Sequence, residues 1–178
     1  MSTRGGEPQR SDRTLLARAR IVFECGQAVL RGLGPGFSEQ VLQAALAIEF
    51  RERQIPYLRE PHIEVYYHGQ CVGLDRPDFA LWIDGSTQGT DPALIVEVKQ
   101  ADRILDEHRQ QLLSYLKALP TNRTPRFAGI TTGLLLRFPK VDRFDAWEGM
   151  VAGEIELEMW SRDPKSGVIA REAAMPEV

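Results

Sequence analysis

Cysteine is scarce in this chain: Cys25 and Cys71 are the only two among 178 residues, and they form no CxxC pair. That excludes a disulfide framework or a cysteine-built zinc site, and both are expected as reduced thiols. No apolar run approaches the roughly 20 residues a membrane helix needs. The opening MSTRGGEPQRSDR is polar and has no apolar signal core, so a cytoplasmic location away from any membrane is the expectation. Charge of one sign is also lacking. The net charge is −3, so nothing global marks the chain for a polyanion. No GxGxxG, Walker A, GxSxG or HExxH run occurs. Dinucleotide binding, P-loop chemistry, serine hydrolysis and zinc proteolysis therefore have no support.

What remains is an ordinary globular composition, 43% hydrophobic and 26% charged, at a length that suits one domain. Residues 1–12 are polar and are expected as a disordered tail, 13–160 as the domain, and 161–178 as a mobile tail. Charge is uneven along the chain. Residues 144–178 carry eight acidic and three basic side chains. Arg123, Arg126, Arg137, Lys140 and Arg143 form a basic stretch that could meet phosphates or simply be solvated.

Periodicity predicts a helix over residues 14–30, stopped by the Gly/Pro run at 32–36, and a second helix over 39–54 capped by Ser38. Residues 61–68 alternate and predict a strand. After a turn at Gly69-Gln70, residues 72–83 predict its hairpin partner, irregular at Pro77. Residues 84–91 read as a loop. The nearly all-apolar run at 93–99 predicts a central strand buried on both faces. A helix is expected over 104–119, strands over 126–131 and 134–138, and an edge strand over 155–160. The fold class is therefore α/β, one mixed sheet flanked by helices.

Charged residues that interrupt apolar patterns carry the functional signal, because buried charge is costly unless paired or metal-bound. In the strand ending IVEVK, Glu97 and Lys99 share a face with Ile95. Asp78 shares a face with Arg76 and Ala80 in a strand, where aspartate is disfavoured. Glu39 falls on the helical stripe of Leu42, Leu46 and Phe50. Ile104, His108, Gln111, Tyr115 and Leu119 share one arc of the later helix, so His108 and Gln111 are expected to face the sheet. Each feature has a plain structural explanation: a terminal salt bridge, a turn aspartate, a helix-dipole acid, a core histidine. Together they bring two or three carboxylates and an amine toward one point. Such hard oxygen ligands suit Mg²⁺ or Mn²⁺.

The order Asp, then Glu-x-Lys on the next strand, resembles the signature of the PD-(D/E)xK nuclease superfamily. More narrowly, the chain is similar to the GxxExxY proteins through Gly36 and Glu39, Asp78 in RPDFAL, Glu97 and Lys99 in VEVK, and His108, Gln111, Leu112, Tyr115 and Leu116 in HRQQLLSYLKAL. The similarity spans roughly residues 18–138 and departs where the family's tyrosine is Leu42 here. The resemblance implies a restriction-endonuclease-like fold with an α-β-β-β-α-β core. It implies a Mg²⁺- or Mn²⁺-dependent nuclease acting on nucleic acid, DNA ahead of RNA. Asp78, Glu97 and the Val98 carbonyl would hold the ion, with Glu39 directly or through water. Lys99 would orient or deprotonate the attacking water, and Gln111 would position Lys99 or the phosphate. A homodimer or a separate targeting partner is compatible with it. The rival readings are a catalytically silent nucleic-acid- or protein-binding module on the same fold, an unrelated enzyme, or a structural subunit pairing near Tyr66 and Tyr67.

Overall fold

The computed structural model describes residues 10–83, 94–140 and 154–172. Residues 1–9 of the expected N-terminal tail, the expected loop at 84–91, and Arg143 lie outside them. Helix α1 (Arg10–Leu33) begins earlier than periodicity predicts and takes in residues 10–12. It stops where the Gly/Pro run predicts. Gly34 there adopts φ +75°, and its N–H is donated to the Leu30 carbonyl at 2.8 Å. That left-handed helix end is easy only for glycine. Helix α2 (Glu39–Glu52) then buries Leu42, Gln43, Leu46, Ala47 and Phe50.

Strands β1 (Tyr57–Arg59), β2 (Ile63–Tyr67), β3 (Gln70–Asp75) and β4 (Phe79–Leu81) follow. The β2–β3 hairpin turns at His68 and Gly69, both at positive φ, as a two-residue hairpin requires. The expected single partner strand over 72–83 is two strands in different sheets. The chain breaks at Arg76-Pro77, because proline has no N–H to continue a ladder. Strand β5 (Leu94–Gln100) is the buried central strand expected, and its first five residues are all buried.

Helix α3 (Asp106–Ala118) is followed by a 3-10 turn (Leu119–Thr121), a short helix α4 (Pro125–Ala128) and strand β6 (Thr132–Phe138). The strand expected over 126–131 is therefore corrected to α4 and its exit. Pro125 opens that helix, where its missing N–H is no loss. Strands β7 (Glu156–Arg162) and β8 (Ile169–Arg171) close the sheet. β7 is not an edge strand, because β8 pairs outside it. The expected mobile tail at 161–178 thus contains the end of one strand and the whole of another.

The six-stranded sheet runs β1-β4-β5-β6-β7-β8, with β5 and β6 parallel and every other pair antiparallel. This mixed α/β architecture matches a restriction-endonuclease-like fold. Alternation along the strands splits the core in two. Phe79, Val96, Val98, Leu134 and Leu136 pack toward α1 and α2, while Ala80, Ile95 and Leu135 pack toward α3. Gly133 lets α3 close on the sheet. A Cβ there would stand 2.8 Å from Leu112 Cδ1 and 3.1 Å from its Cγ, and Leu112 is fully buried. Gly133→Ala is expected to lower the unfolding free energy by about 1–3 kcal/mol through overpacking. Urea denaturation reads this directly, and an unchanged midpoint would show that α3 yields without cost.

Candidate active site

The polar residues singled out above gather where β5 ends. Phe79 pairs with Val96 and Ala80 with Ile95, so Asp78, just before Phe79, comes beside Glu97. Alternation puts Glu97 on the α3 side with Ile95, whereas the Asp78 carboxylate is reached from α2 by Gln43. Asp78 sits at the head of β4, past the break that Pro77 imposes. Its Oδ2 accepts the Val98 backbone N–H at 2.6 Å, and its Oδ1 accepts from Gln43 Nε2 at 2.7 Å. Glu97 is 2% exposed. Its Oε1 accepts from Lys99 Nζ at 2.7 Å, whereas its Oε2 is buried without a hydrogen-bond partner.

Two neighbouring carboxylates in a dry setting disfavour their own ionisation. Burial first, and then the Glu97 charge, push the Asp78 carboxyl up to about 7. Burial also raises Glu97, with Lys99 pulling the other way. For Lys99, burial opposes the charged form, but the Glu97, Glu39 and Asp78 carboxylates outweigh it. Its ammonium is therefore held above the ordinary lysine value.

Glu39 comes to the same place from the start of α2. Gly36 at φ +93° carries the chain into that helix. Glu39 Oε2 accepts the Gln100 N–H at 3.3 Å, and its Oε1 stands 3.9 Å from Lys99 Nζ. Among the described residues, no three His, Cys, Asp or Glu side chains are grouped to hold an ion. The Glu39 charge nevertheless reaches both Asp78 and Glu97.

Of the arc predicted for α3, Ile104, Tyr115 and Leu119 are buried and Gln111 departs from it. Leu112, Tyr115 and Leu116 face the sheet, because Leu112 settles over Gly133. Gln111 is rotated to the exposed rim. Its Nε2 donates to the Tyr115 hydroxyl at 2.7 Å, which in turn donates to the Arg76 carbonyl at 3.3 Å. Gln111 thus braces the segment leading into Asp78, and its amide goes to Tyr115 rather than Lys99. Burial, followed by the Glu97 charge, raises the Tyr115 hydroxyl. His108 Nδ1 accepts the Leu105 N–H at 3.2 Å and so caps the start of α3.

Sequence reasoning passed over Gln43. It is 7% exposed, and its amide fixes one oxygen of Asp78. The signal was present. At about 100° per residue, position 43 lies within the same apolar stripe that singled out Glu39. The basic stretch does not act as one strip. Arg123 stacks over Tyr66 and Arg126 over Trp82, whereas Arg137 pairs with Glu156.

A family model described as the PD-(D/E)XK nuclease superfamily matches residues 17–148, a span that holds every residue of this cluster. The chain belongs to the PD-(D/E)XK nuclease superfamily. No curated protein and no solved structure matches it. Within the matched span, β5 carries Glu97 and Lys99, and Asp78 immediately precedes β4. Nucleases of the superfamily typically use divalent metals on nucleic acid. The residues here fit such an ion. Two neighbouring carboxylates are hard oxygen donors. The unpartnered Glu97 Oε2 is a buried acceptor of the kind a cation satisfies. Among the described residues, no helix is long and apolar enough to cross a membrane. β7 and β8 lie beyond the match.

Proposed function

We propose that this chain is a divalent-metal-dependent phosphodiester hydrolase of the GxxExxY type, acting on DNA in preference to RNA. The observation that carries the reading is the closeness of Asp78, held on the Val98 N–H, to Glu97 beside Lys99, with one buried Glu97 oxygen unpartnered. Asp78, Glu97 and the Val98 carbonyl would hold Mg²⁺ or Mn²⁺, with Glu39 engaged through water. Bound there, the ion supplies Lewis-acid polarisation of a phosphoryl oxygen and a more acidic water.

The side chains do the remaining work. The Lys99 ammonium orients the attacking water and offsets negative charge gathering on the phosphate. Gln43 and the Val98 N–H fix both oxygens of Asp78, so that carboxylate needs little rearrangement. Gln111, through Tyr115, steadies the backbone entering Asp78. Leu42, the departure from the family pattern, is 2% exposed in the core under α2. It alters packing and leaves the cluster's donors in place.

The test offers the purified chain single- and double-stranded DNA and RNA, with Mg²⁺, Mn²⁺ or a chelator. Cleavage is expected with either ion, faster on DNA, and absent with chelator. Failure on all four substrates, together with no calorimetric Mn²⁺ binding up to millimolar concentration, would leave the silent binding module as the reading.

A further inference from the structure

Charge around the acidic pair does not balance. Glu97, Glu39 and Asp78 surround the ammonium of Lys99, and the half-buried Asp75 adds a fourth carboxylate on the Tyr115 side. A bound divalent ion cancels two of these charges, and a phosphodiester brings in another. The excess stays negative, so a nucleic-acid strand needs a further cation to settle there.

Arg76 stands where such a cation is needed. It lies two residues before Asp78 and directly before Pro77, whose ring restricts it to an extended backbone. Its carbonyl accepts the Tyr115 hydroxyl at 3.3 Å, and Gln111 Nε2 donates to that hydroxyl at 2.7 Å. Tyr115 is close enough to Glu97, Asp78 and Asp75 to sense their charges. The Arg76 backbone is thus fixed beside the acids. The residue itself is exposed and enters no ion pair among the described residues. Arg59 is also exposed and close to Asp78, because the N–H of the following Glu60 is donated to the Asp78 carbonyl. It pairs across the ladder with Phe79, which packs toward α1 and α2, so it leaves the sheet on that face, away from Tyr115.

We propose that Arg76 grips a backbone phosphate of the substrate strand on the Tyr115 side of the acidic pair, with the Gln111–Tyr115 hydrogen bonds setting its backbone for that contact. The proposal rests on the nuclease reading and adds which flank of the pair the strand crosses. Arginine suits the task because its planar fork meets two phosphate oxygens at once. Such a contact positions a strand without reading its sequence. It also releases a counterion, which adds about 0.7–0.9 to the log–log salt slope of binding.

The experiment measures binding of the full chain to labelled single- and double-stranded DNA by anisotropy, in Ca²⁺ and across a series of KCl concentrations. Ca²⁺ takes hard oxygen ligands as Mg²⁺ does. Arg76→Ala is expected to bind about tenfold more weakly, equally on unrelated sequences, and to lose about 0.7–0.9 from the slope. Arg76→Lys keeps the charge, and should keep the slope while recovering only part of the affinity. Arg51→Ala removes an exposed cation about 18 Å along α2 from Glu39, beyond the screening length of about 8–10 Å, and should bind as the parent does. Unchanged thermal melting shows that the variants are folded. If Arg76→Ala melts low, Arg76→Gln gives the same reading with the side-chain bulk kept. In the cleavage assay the loss should fall on KM rather than kcat. An unchanged slope in Arg76→Ala, an equal loss in Arg51→Ala, or no DNA binding by the parent overturns the contact. Failure of the nuclease reading shows separately, as parental protein that binds DNA through Arg76 but never cuts it with Mg²⁺ or Mn²⁺.

Discussion

Asp78→Asn is expected to reduce cleavage by at least about 100-fold and, at pH 8, to raise the melting temperature of the metal-free protein. The first effect follows from the proposed role of Asp78. Residues that merely support a metal ligand already change activity by about 10–100-fold, so loss of the ligand itself exceeds that. The second follows from electrostatics. The Asp78 carboxyl is pushed up to about 7 by burial and by Glu97, from an ordinary value of 3.8. A folded-state value above the unfolded one favours folding fully at low pH, and the advantage is lost as pH rises through about 7. At pH 8 the ionised pair therefore strains the fold, and asparagine removes one charge. Its carbonyl can still accept from the Val98 N–H, and the Gln43 amide can turn over to meet its NH₂ group. Below about pH 3.8, where Asp78 is protonated in both the folded and the unfolded chain, the two proteins should melt together, and the gap should open as pH rises from there to about 7. Adding Mn²⁺ should stabilise the parent by mass action and leave the variant unmoved. Calorimetric melting at both pH values, set beside cleavage rates, checks all of this. A variant that melts below the parent at pH 8, or that cuts at the parental rate, would sink the assignment.

Glu158→Ala is expected to cause the largest loss of stability, about 3–5 kcal/mol. For a chain of this size that is roughly 6–20 °C in melting temperature. Glu158 is a buried carboxylate on β7, 2% exposed. Its oxygens accept from Arg109 Nε at 2.9 Å and from an Arg109 terminal nitrogen at 2.7 Å. Trp160 Nε1 donates at 3.1 Å, and an Arg171 terminal nitrogen stands 3.2 Å away. One anion thus ties α3, β7 and β8 together, and alanine would leave a half-buried Arg109 without its main partner. Burial works against the charge, but the Arg109 and Trp160 hydrogen bonds and the Arg171 charge outweigh it and hold Glu158 below the usual carboxylate value. That stabilisation is present above the unfolded carboxylate range and fades as pH falls through the lowered folded value. The gap between parent and variant should therefore narrow in acid. A loss below about 1 kcal/mol at neutral pH would show that the cluster contributes little.

Much of the site was legible because it broke rules of pattern. Glu97 and Lys99 stand out on an apolar strand, Asp78 on another, and Glu39 on a helical stripe. Strand alternation alone was enough to put Glu97 and Lys99 on one face. Gln43 was equally visible by the same rule and was passed over, because an uncharged amide draws less notice than an acid. Gln111 was expected to face the sheet with Ile104, Tyr115 and Leu119; those three are buried, whereas Gln111 is exposed and its amide reaches the Tyr115 hydroxyl.

Local pattern was enough to specify the element types over most of the chain, the α/β class, and the candidate residues for metal-dependent chemistry. These depend on local periodicity and on the cost of isolated charge, which act over a few residues. It took the folded arrangement to bring Asp78 beside Glu97, to divide residues 72–83 between two sheets, and to set Arg171 on Glu158. Those outcomes depend on strand register and on pairing between distant segments, which no local pattern encodes.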